Sequence, residues 1–294
     1  MNYGMNMALV RQRQAGVTLI ELMVGIAIGM LVVAVALTAL MTSKGVSTSV
    51  SEVAKLQQEA SFVFRKIGEQ LRQAGSLELD LKIPAGSGSN LSSPHTPVVF
   101  DPGNLFSRAT TVAGAAPGAD GSRLSVSFQN TPEMIYKSNA KNKGDTVLGS
   151  QMRNCLGEIP GGVSANAKNA IGITSSFDLN SKGELICGAS AGSGQQALSS
   201  NVADFQVWYL VQGLQNGQTV IQRLSAANVT NWQKVFAVEV CLDLKGVEKV
   251  AVEGDATYTQ CDGKSGSLRQ GRSGSAVRHL VMRNTFQLRS QGVL

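Results

Sequence analysis

Histidine is nearly missing from this chain: His95 and His279 are the only two in 294 residues. Cysteine occurs four times, at 155, 187, 241 and 261, but never as C-x-x-C. The usual ligand spacings of a zinc site are therefore absent. No nucleophile, base and orienting acid stand in an arrangement that marks an enzyme, and no motif calls for a cofactor. Proline is absent before Pro84, so nothing of that kind breaks a helix in the first quarter of the chain. Acidic residues are absent before Glu21, and residues 22–43 carry no charge of either sign.

What fills that uncharged stretch is the most specific feature of the chain. Gly16-Val17-Thr18-Leu19-Ile20-Glu21 leads into Leu, Ile, Val, Ala, Met and Gly as far as Met41, and the next basic residue is Lys44. As helix, residues 17–41 extend about 37 Å, enough to cross a hydrocarbon core of about 30 Å with some tilt. Arg11 and Arg13 precede the run, which keeps the N-terminus in the cytoplasm and sends the rest outward. Met41-Thr42-Ser43 offers no A-x-A-like cleavage site after the apolar run, as a secretory signal would. A lone acid at the centre of a membrane helix costs roughly 2.5–3.5 kcal/mol, so Glu21 calls for a partner or a task. A plain single-pass anchor that tolerates a Glu near its cytoplasmic end is the competing reading. Gly25 and Gly29 form a G-x-x-x-G, a spacing that lets helices approach closely.

These residues resemble the class III signal of type IV prepilins and type II secretion pseudopilins. The resemblance implies cleavage by a membrane aspartyl peptidase after Gly16, N-methylation of the new N-terminus Val17, and assembly through Thr18, Leu19, Ile20 and Glu21. Phe is the usual first mature residue in that family, so Val17 departs from it. Met5 or Met7 as the start would shorten the leader. Cutting after Gly16 creates an α-amino group, and in the family the carboxylate matching Glu21 meets the amine of a neighbouring subunit, setting register by a charge pair.

Beyond the apolar run the helical period continues. Val46, Val50, Val53, Leu56, Ala60, Val63, Ile67 and Leu71 recur every three or four residues, with Glu52, Lys55, Gln58, Glu59, Arg65, Lys66, Glu69 and Arg72 between them. Ala74-Gly75-Ser76 supplies a stop. This predicts one helix from about Val17 to about Ala74, membrane or filament core in its first half and an apolar stripe on a globular domain in its second. A coiled coil is the alternative reading of the stripe.

Residues 76–294 are rich in Gly and Ser with short apolar runs, and read as β-structure. Leu124–Phe128 alternates, as do Phe205, Val207, Tyr209 and Val211. Asn216-Gly217 marks a hairpin. Val238, Val240, Leu242 and Leu244 line one face of a further strand, and His279–Arg289 gives the last. Segments 84–94, 114–122 and 188–200 are expected loops. The fold expected is α+β, pilin-like, with antiparallel sheet packed on the second half of the helix. Its parts are a leader at 1–16, a membrane or filament-core half at 17–41, an amphipathic half at 42–75, and an extracytoplasmic domain at 76–294.

Four cysteines allow three connectivities, and local pairing, Cys155–Cys187 and Cys241–Cys261, is the one expected in an oxidising compartment. Gly263-Lys264-Ser265 lacks the earlier glycine of a P-loop, since Tyr258 stands there. Asp178, Asn180 and Gly183 lack a calcium loop's full set, with Lys182 at a ligand position and Ala189 in place of the closing Glu. Both read as turns. Arg269, Arg272, Arg278, Arg283 and Arg289 concentrate basic charge near the C-terminus of a chain whose net charge is +6. They form a solvated face or a contact for an acidic partner or DNA.

Ile67–Gly75, Val202–Val207 and the Arg278–Arg289 close are similar to PilW-type minor pilins of type IVa pili. That resemblance implies a non-enzymatic subunit of the inner membrane and pilus tip, without cofactor or metal. Its partners would be the prepilin peptidase/N-methyltransferase, other minor pilins, the major pilin and a PilY-type adhesin, and its work priming, twitching motility and adhesion. The large minor pseudopilin of a type II secretion system shares the same leader, helix and bulky head. A DNA- or surface-binding module using the basic C-terminal segment is an alternative of another class.

Overall fold

The computed structural model describes residues 16–76, 78–80, 99–101, 111–130, 133–136, 146–159, 171–189, 194–251, 256–268 and 275–289. Met5, Met7, Arg11, Arg13, the expected loop at 84–94, His95, Arg269 and Arg272 lie outside them. The chain forms two compact units, Met1–Ser51 and Glu52–Leu294.

Helix α1 runs Leu19–Gln73 and belongs to both units. In the first unit every large apolar side chain from Val17 to Val50 is exposed. That is the state of a helix whose solvent is lipid or another helix rather than its own domain. Its threonine hydroxyls are satisfied internally: Thr38 Oγ1 donates to the carbonyls of Ala34 and Val35, and Thr42 Oγ1 to those of Thr38 and Ala39. A hydroxyl that donates back to its own helix in this way leaves no bare polar group for an apolar surround. The helix closes at a left-handed Gly75, φ +69°, with Ser76 N–H donating to Gln73 O at 2.9 Å.

In the second unit the stripe works as the period predicts, but over a shorter length. Leu56, Ala60, Val63, Phe64, Ile67 and Leu71 are buried, whereas Val46 and Val50 are exposed. Periodicity specifies a face, and here the domain begins to cover that face only at Glu52–Val53.

The strands are β1 (Glu78–Asp80), β2 (Val99–Asp101), β3 (Val112–Ala113), β4 (Leu124–Asn130), β5 (Glu133–Tyr136), β6 (Thr146–Gly149), β7 (Ile171–Leu179), β8 (Leu185–Ala189), β9 (Gln195–Ser199), β10 (Val202–Gln215), β11 (Gln218–Leu224), β12 (Val235–Ala251), β13 (Thr257–Thr259), β14 (Ser265–Ser267) and β15 (Ser275–Gln287). They form a five-stranded sheet, β3-β4-β7-β8-β9, a four-stranded sheet, β11-β10-β12-β15, and three two-stranded pairs, all antiparallel. The fold is thus α+β and pilin-like.

The expected loop at 114–122 is a loop, but the one at 188–200 is not: it contains the end of β8 and all of β9. Gln195-Gln196-Ala197-Leu198-Ser199 has no alternation to announce a strand. It becomes one because β8 offers a free ladder edge to pair with. Asn216 and Gly217 both take positive φ, +53° and +77°, the turn that joins β10 to β11 with Gln215 opposite Gln218. The two set-aside fragments are turns. Asn180 Oδ1 accepts from the N–H groups of Lys182 and Glu184, and Asp262 Oδ1 from that of Lys264.

The core joins the second half of α1 to both large sheets. Leu124, Val126 and Phe177 in the five-stranded sheet, and Phe205, Tyr209, Val238, Val240, Leu242 and Leu244 in the four-stranded one, are fully buried. Each large side chain of this kind contributes roughly 1.5–3 kcal/mol by leaving water. Tyr209 ties the sheets together, its hydroxyl donating to Arg123 O at 2.7 Å and lying 3.3 Å from Ala113 O. Burial pushes the Tyr209 phenol far up, so it stays a donor at any working pH.

Candidate functional site

The start of α1 is built by its own sequence. Gly16, Val17 and Thr18 precede the helix, and all three are exposed. Thr18 is the cap residue and Glu21 the third helical residue. Thr18 N–H donates to Glu21 Oε2 at 3.0 Å, Thr18 Oγ1 to the same oxygen at 2.9 Å, and Glu21 N–H returns to Thr18 Oγ1 at 3.3 Å. This is a capping box, two otherwise orphaned N–H groups satisfied reciprocally, with a carboxylate at the positive end of the helix dipole. Val17, Leu19 and Ile20 are wide open beside it, at 74, 77 and 70% exposure. Gly16 is exposed, and an exposed carboxylate, Glu21, stands five residues after it. The cue was legible as T-x-x-E before an apolar run, but sequence reading assigned Glu21 only to a neighbouring chain.

Farther along α1, three polar side chains pin the helix in its seat. Glu52 Oε1 accepts from Glu248 N–H at 2.8 Å. Glu59 Oε1 accepts from Ser199 Oγ at 2.8 Å and from Ser200 N–H at 3.3 Å. Gln70 Nε2 donates to Arg153 O at 3.2 Å, and its Oε1 accepts from Ser175 Oγ at 2.7 Å, which in turn accepts from Cys155 N–H at 3.0 Å. At 3.6 residues per turn, positions 52, 59 and 70 fall within about 20° of one line, roughly 75° from the centre of the apolar stripe. Glu52 fits so closely over the β12 bulge that a Cβ on Gly246 would overlap its carboxylate. Sequence reading left Glu52 and Glu59 on the solvated face, because nothing local distinguishes a carboxylate that will meet a loop from one that meets water.

The face of the four-stranded sheet away from α1 is polar where the core face is apolar. Cys241 lies on it, bonded to Cys261, and Cys155 is bonded to Cys187. Arg283 is the register partner of Cys241, and its guanidinium donates to Gln260 O and Cys261 O at 3.0 and 2.9 Å. Asp243, buried, accepts from Tyr258 OH at 3.0 Å and lies 2.9 Å from His279 Nδ1, while the Tyr258 ring stacks on the imidazole at 4.2 Å. Burial, with Asp243 as a lesser contributor, raises the Tyr258 phenol. These contacts fasten β13, β14 and their turn over the sheet. They also engage Arg283, one of the five C-terminal arginines, in structure rather than in a free basic patch. Among the described residues no cluster of three or more His, Cys, Asp or Glu is placed to hold a metal ion.

Two comparisons bear on the identity of this arrangement. Residues 11–37 match the prokaryotic N-terminal methylation motif, and residues 172–290 match type IV pilus-assembly protein W. Over these residues the chain is PilW-like and carries the N-terminal signal of a type IV pilin. No curated protein and no solved structure matches it. The methylation motif covers the capped helix start and most of the exposed apolar run. The PilW match runs from β7 to just past β15, taking in the whole four-stranded sheet, the fastened β13–β14 turn and three of the four cysteines; Cys155 lies outside it. Pilin-family domains are structural proteins, and a methylation motif of this kind implies processing by prepilin peptidase and association with pilus components.

Proposed function

We propose that this PilW-like pilin is a minor subunit, cleaved after Gly16, N-methylated at Val17, and assembled at a pilus tip. In this reading residues 1–16 are removed, 17–41 hold the subunit in the inner membrane with its N-terminus cytoplasmic, 42–75 seat the helix in the head, and 76–294 form a periplasmic domain. The observation that carries it is the coincidence of the methylation motif with a capped, exposed helix start and an unshielded apolar helix. Cleavage places an ammonium one residue before Thr18, in reach of a carboxylate on the next chain. Removing sixteen residues from 294 leaves a bulky subunit. A head of that size repeated at every step of a helical filament crowds its neighbours, whereas a single copy at the tip escapes the limit. Other minor pilins, the major pilin and a PilY-type adhesin are the partners this role requires.

The test is the N-terminus of the cell-derived protein, read by mass spectrometry with and without prepilin peptidase. A peptidase-dependent peptide beginning at Val17, one methyl heavier, is expected; an unprocessed chain in the peptidase-positive strain returns the reading to a plain anchor. Deletion then separates pilus from secretion work. Loss of surface pili and twitching is expected, and loss of secreted enzymes with pili intact assigns the chain to a type II secretion system.

A further inference from the structure

Sheet edges invite pairing, and proteins guard them with short strands, bulges, charge or cover. This molecule guards most of its own. At one edge of the five-stranded sheet β3 is two residues long, and at the other the end of β9 is engaged by Glu59. In the four-stranded sheet β15 faces the bulge of β12 between Lys245 and Lys249, and its Phe286 lies against Gly68 and Phe64 of α1. β11 has none of these. It is seven residues long and unbulged, Gln218, Thr219, Ile221, Gln222 and Arg223 are exposed, and among the described residues no strand pairs with its outer side.

Register defines what that edge offers. The two-residue turn makes Gln215–Gln218 a hydrogen-bonded pair, so alternation sends the N–H and C=O of Thr219, Ile221 and Arg223 outward. The side chains of those three residues share one face with Leu214, Gln212 and Leu210 across the ladder. Leu214 is 78% exposed and Ile221 58%. The one charged group on the strand is withdrawn from the edge. Arg223 lies over the Trp208 ring, 3.7 Å from its centroid, and donates to both oxygens of Glu239 at 2.8 and 3.1 Å. The edge is therefore electrically neutral, flanked by an apolar patch.

We propose that β11 accepts an extended, uncharged strand of a neighbouring pilus subunit, which becomes the fifth strand of this sheet. Thr219, Ile221 and Arg223 supply the main-chain hydrogen bonds, and alternate apolar residues of the incoming strand pack on Ile221 and Leu214. The neutral edge selects against a charged segment, since nothing on it would compensate the desolvation. The assignment rests on the pilus-subunit reading.

The test uses the full chain in piliating cells with a photoreactive benzoyl-phenylalanine at position 221. Expected is a light-dependent adduct to an extended segment of another pilus subunit. Ile221→Pro, which removes an outward N–H not used by β10, and Ile221→Lys should each lower incorporation into sheared pili at least tenfold, with cleavage at Val17 and the melting temperature of the extracted protein unchanged. No adduct in piliated cells, an adduct of twice the subunit mass, or incorporation of both variants at the wild-type level overturns the pairing. A chain cleaved at Val17 without an adduct overturns the edge assignment alone, whereas an uncleaved chain joined to a protein outside the pilus overturns both readings.

Discussion

At the scale of single residues, the carboxylates of this protein do different work according to what surrounds them. Glu21 has Thr18 for company in its own chain, so its loss leaves Gly16 and its backbone untouched. Glu21→Ala is expected to be cleaved as wild type, with surface piliation sharply reduced; full piliation in that variant would remove Glu21 from assembly. Asp204 stands opposite Asp243 on neighbouring strands and is half-buried. Desolvation raises its pKa, with the Gln206 amide and Arg123 opposing in part. A raised carboxyl contributes stability when protonated, and that contribution is lost as pH rises through the folded-state pKa. Asp204→Asn is therefore expected to raise the melting temperature at pH 7 and to lose that advantage as pH falls toward about 4, where the ordinary aspartate protonates. An equal effect at both pH values would show that Asp204 acts through its hydrogen bonds instead. Gly114 is needed for space: a Cβ there would overlap the Tyr209 hydroxyl, and Gly114→Ala should cost about 1–3 kcal/mol in denaturant unfolding.

At the scale of elements, α1 in the head is held by an apolar stripe and a polar line. Gln70→Ala strips both Arg153 O and Ser175 Oγ of a partner at an expected cost of about 1–3 kcal/mol, read by denaturant unfolding. The stripe was legible because a 3.6-residue period is a property of sequence alone, and so were β4, β10, the Asn-Gly turn and β12. Where the stripe begins to be covered was not, since Val46 and Val50 repeat the spacing of the buried positions and yet are exposed. β9 and the polar line were illegible for a related reason. β9 depends on a neighbouring strand, and the line's contacts lie 83 to 196 residues away, beyond any local window. The Asp243–His279 contact, 36 residues apart, exists only because the β12–β15 register brings those positions together.

At the scale of the molecule, two covalent links span 32 and 20 residues, one at each large sheet. In the chain-entropy account each restricts the unfolded state by about 3–4 kcal/mol. Cys241 and Cys261 also carry the turn that Arg283 and Tyr258 fasten. Cys241→Ser with Cys261→Ser is therefore expected to lower the melting temperature and to expose the 256–268 segment to protease. Resistance of that segment equal to wild type would assign its fastening to Arg283 and Tyr258 alone.

The line formed by Glu52, Glu59 and Gln70 has a mechanical meaning as well. In the proposed role the subunit is pulled along its helix axis, and three anchors spaced up that axis, each reaching a different segment of the domain, share the load at once. Such an arrangement yields in shear, all contacts breaking together, rather than by peeling one after another. Resistance to force is then governed by the rate of that single concerted step, so the same three contacts count for more under tension than they do at rest.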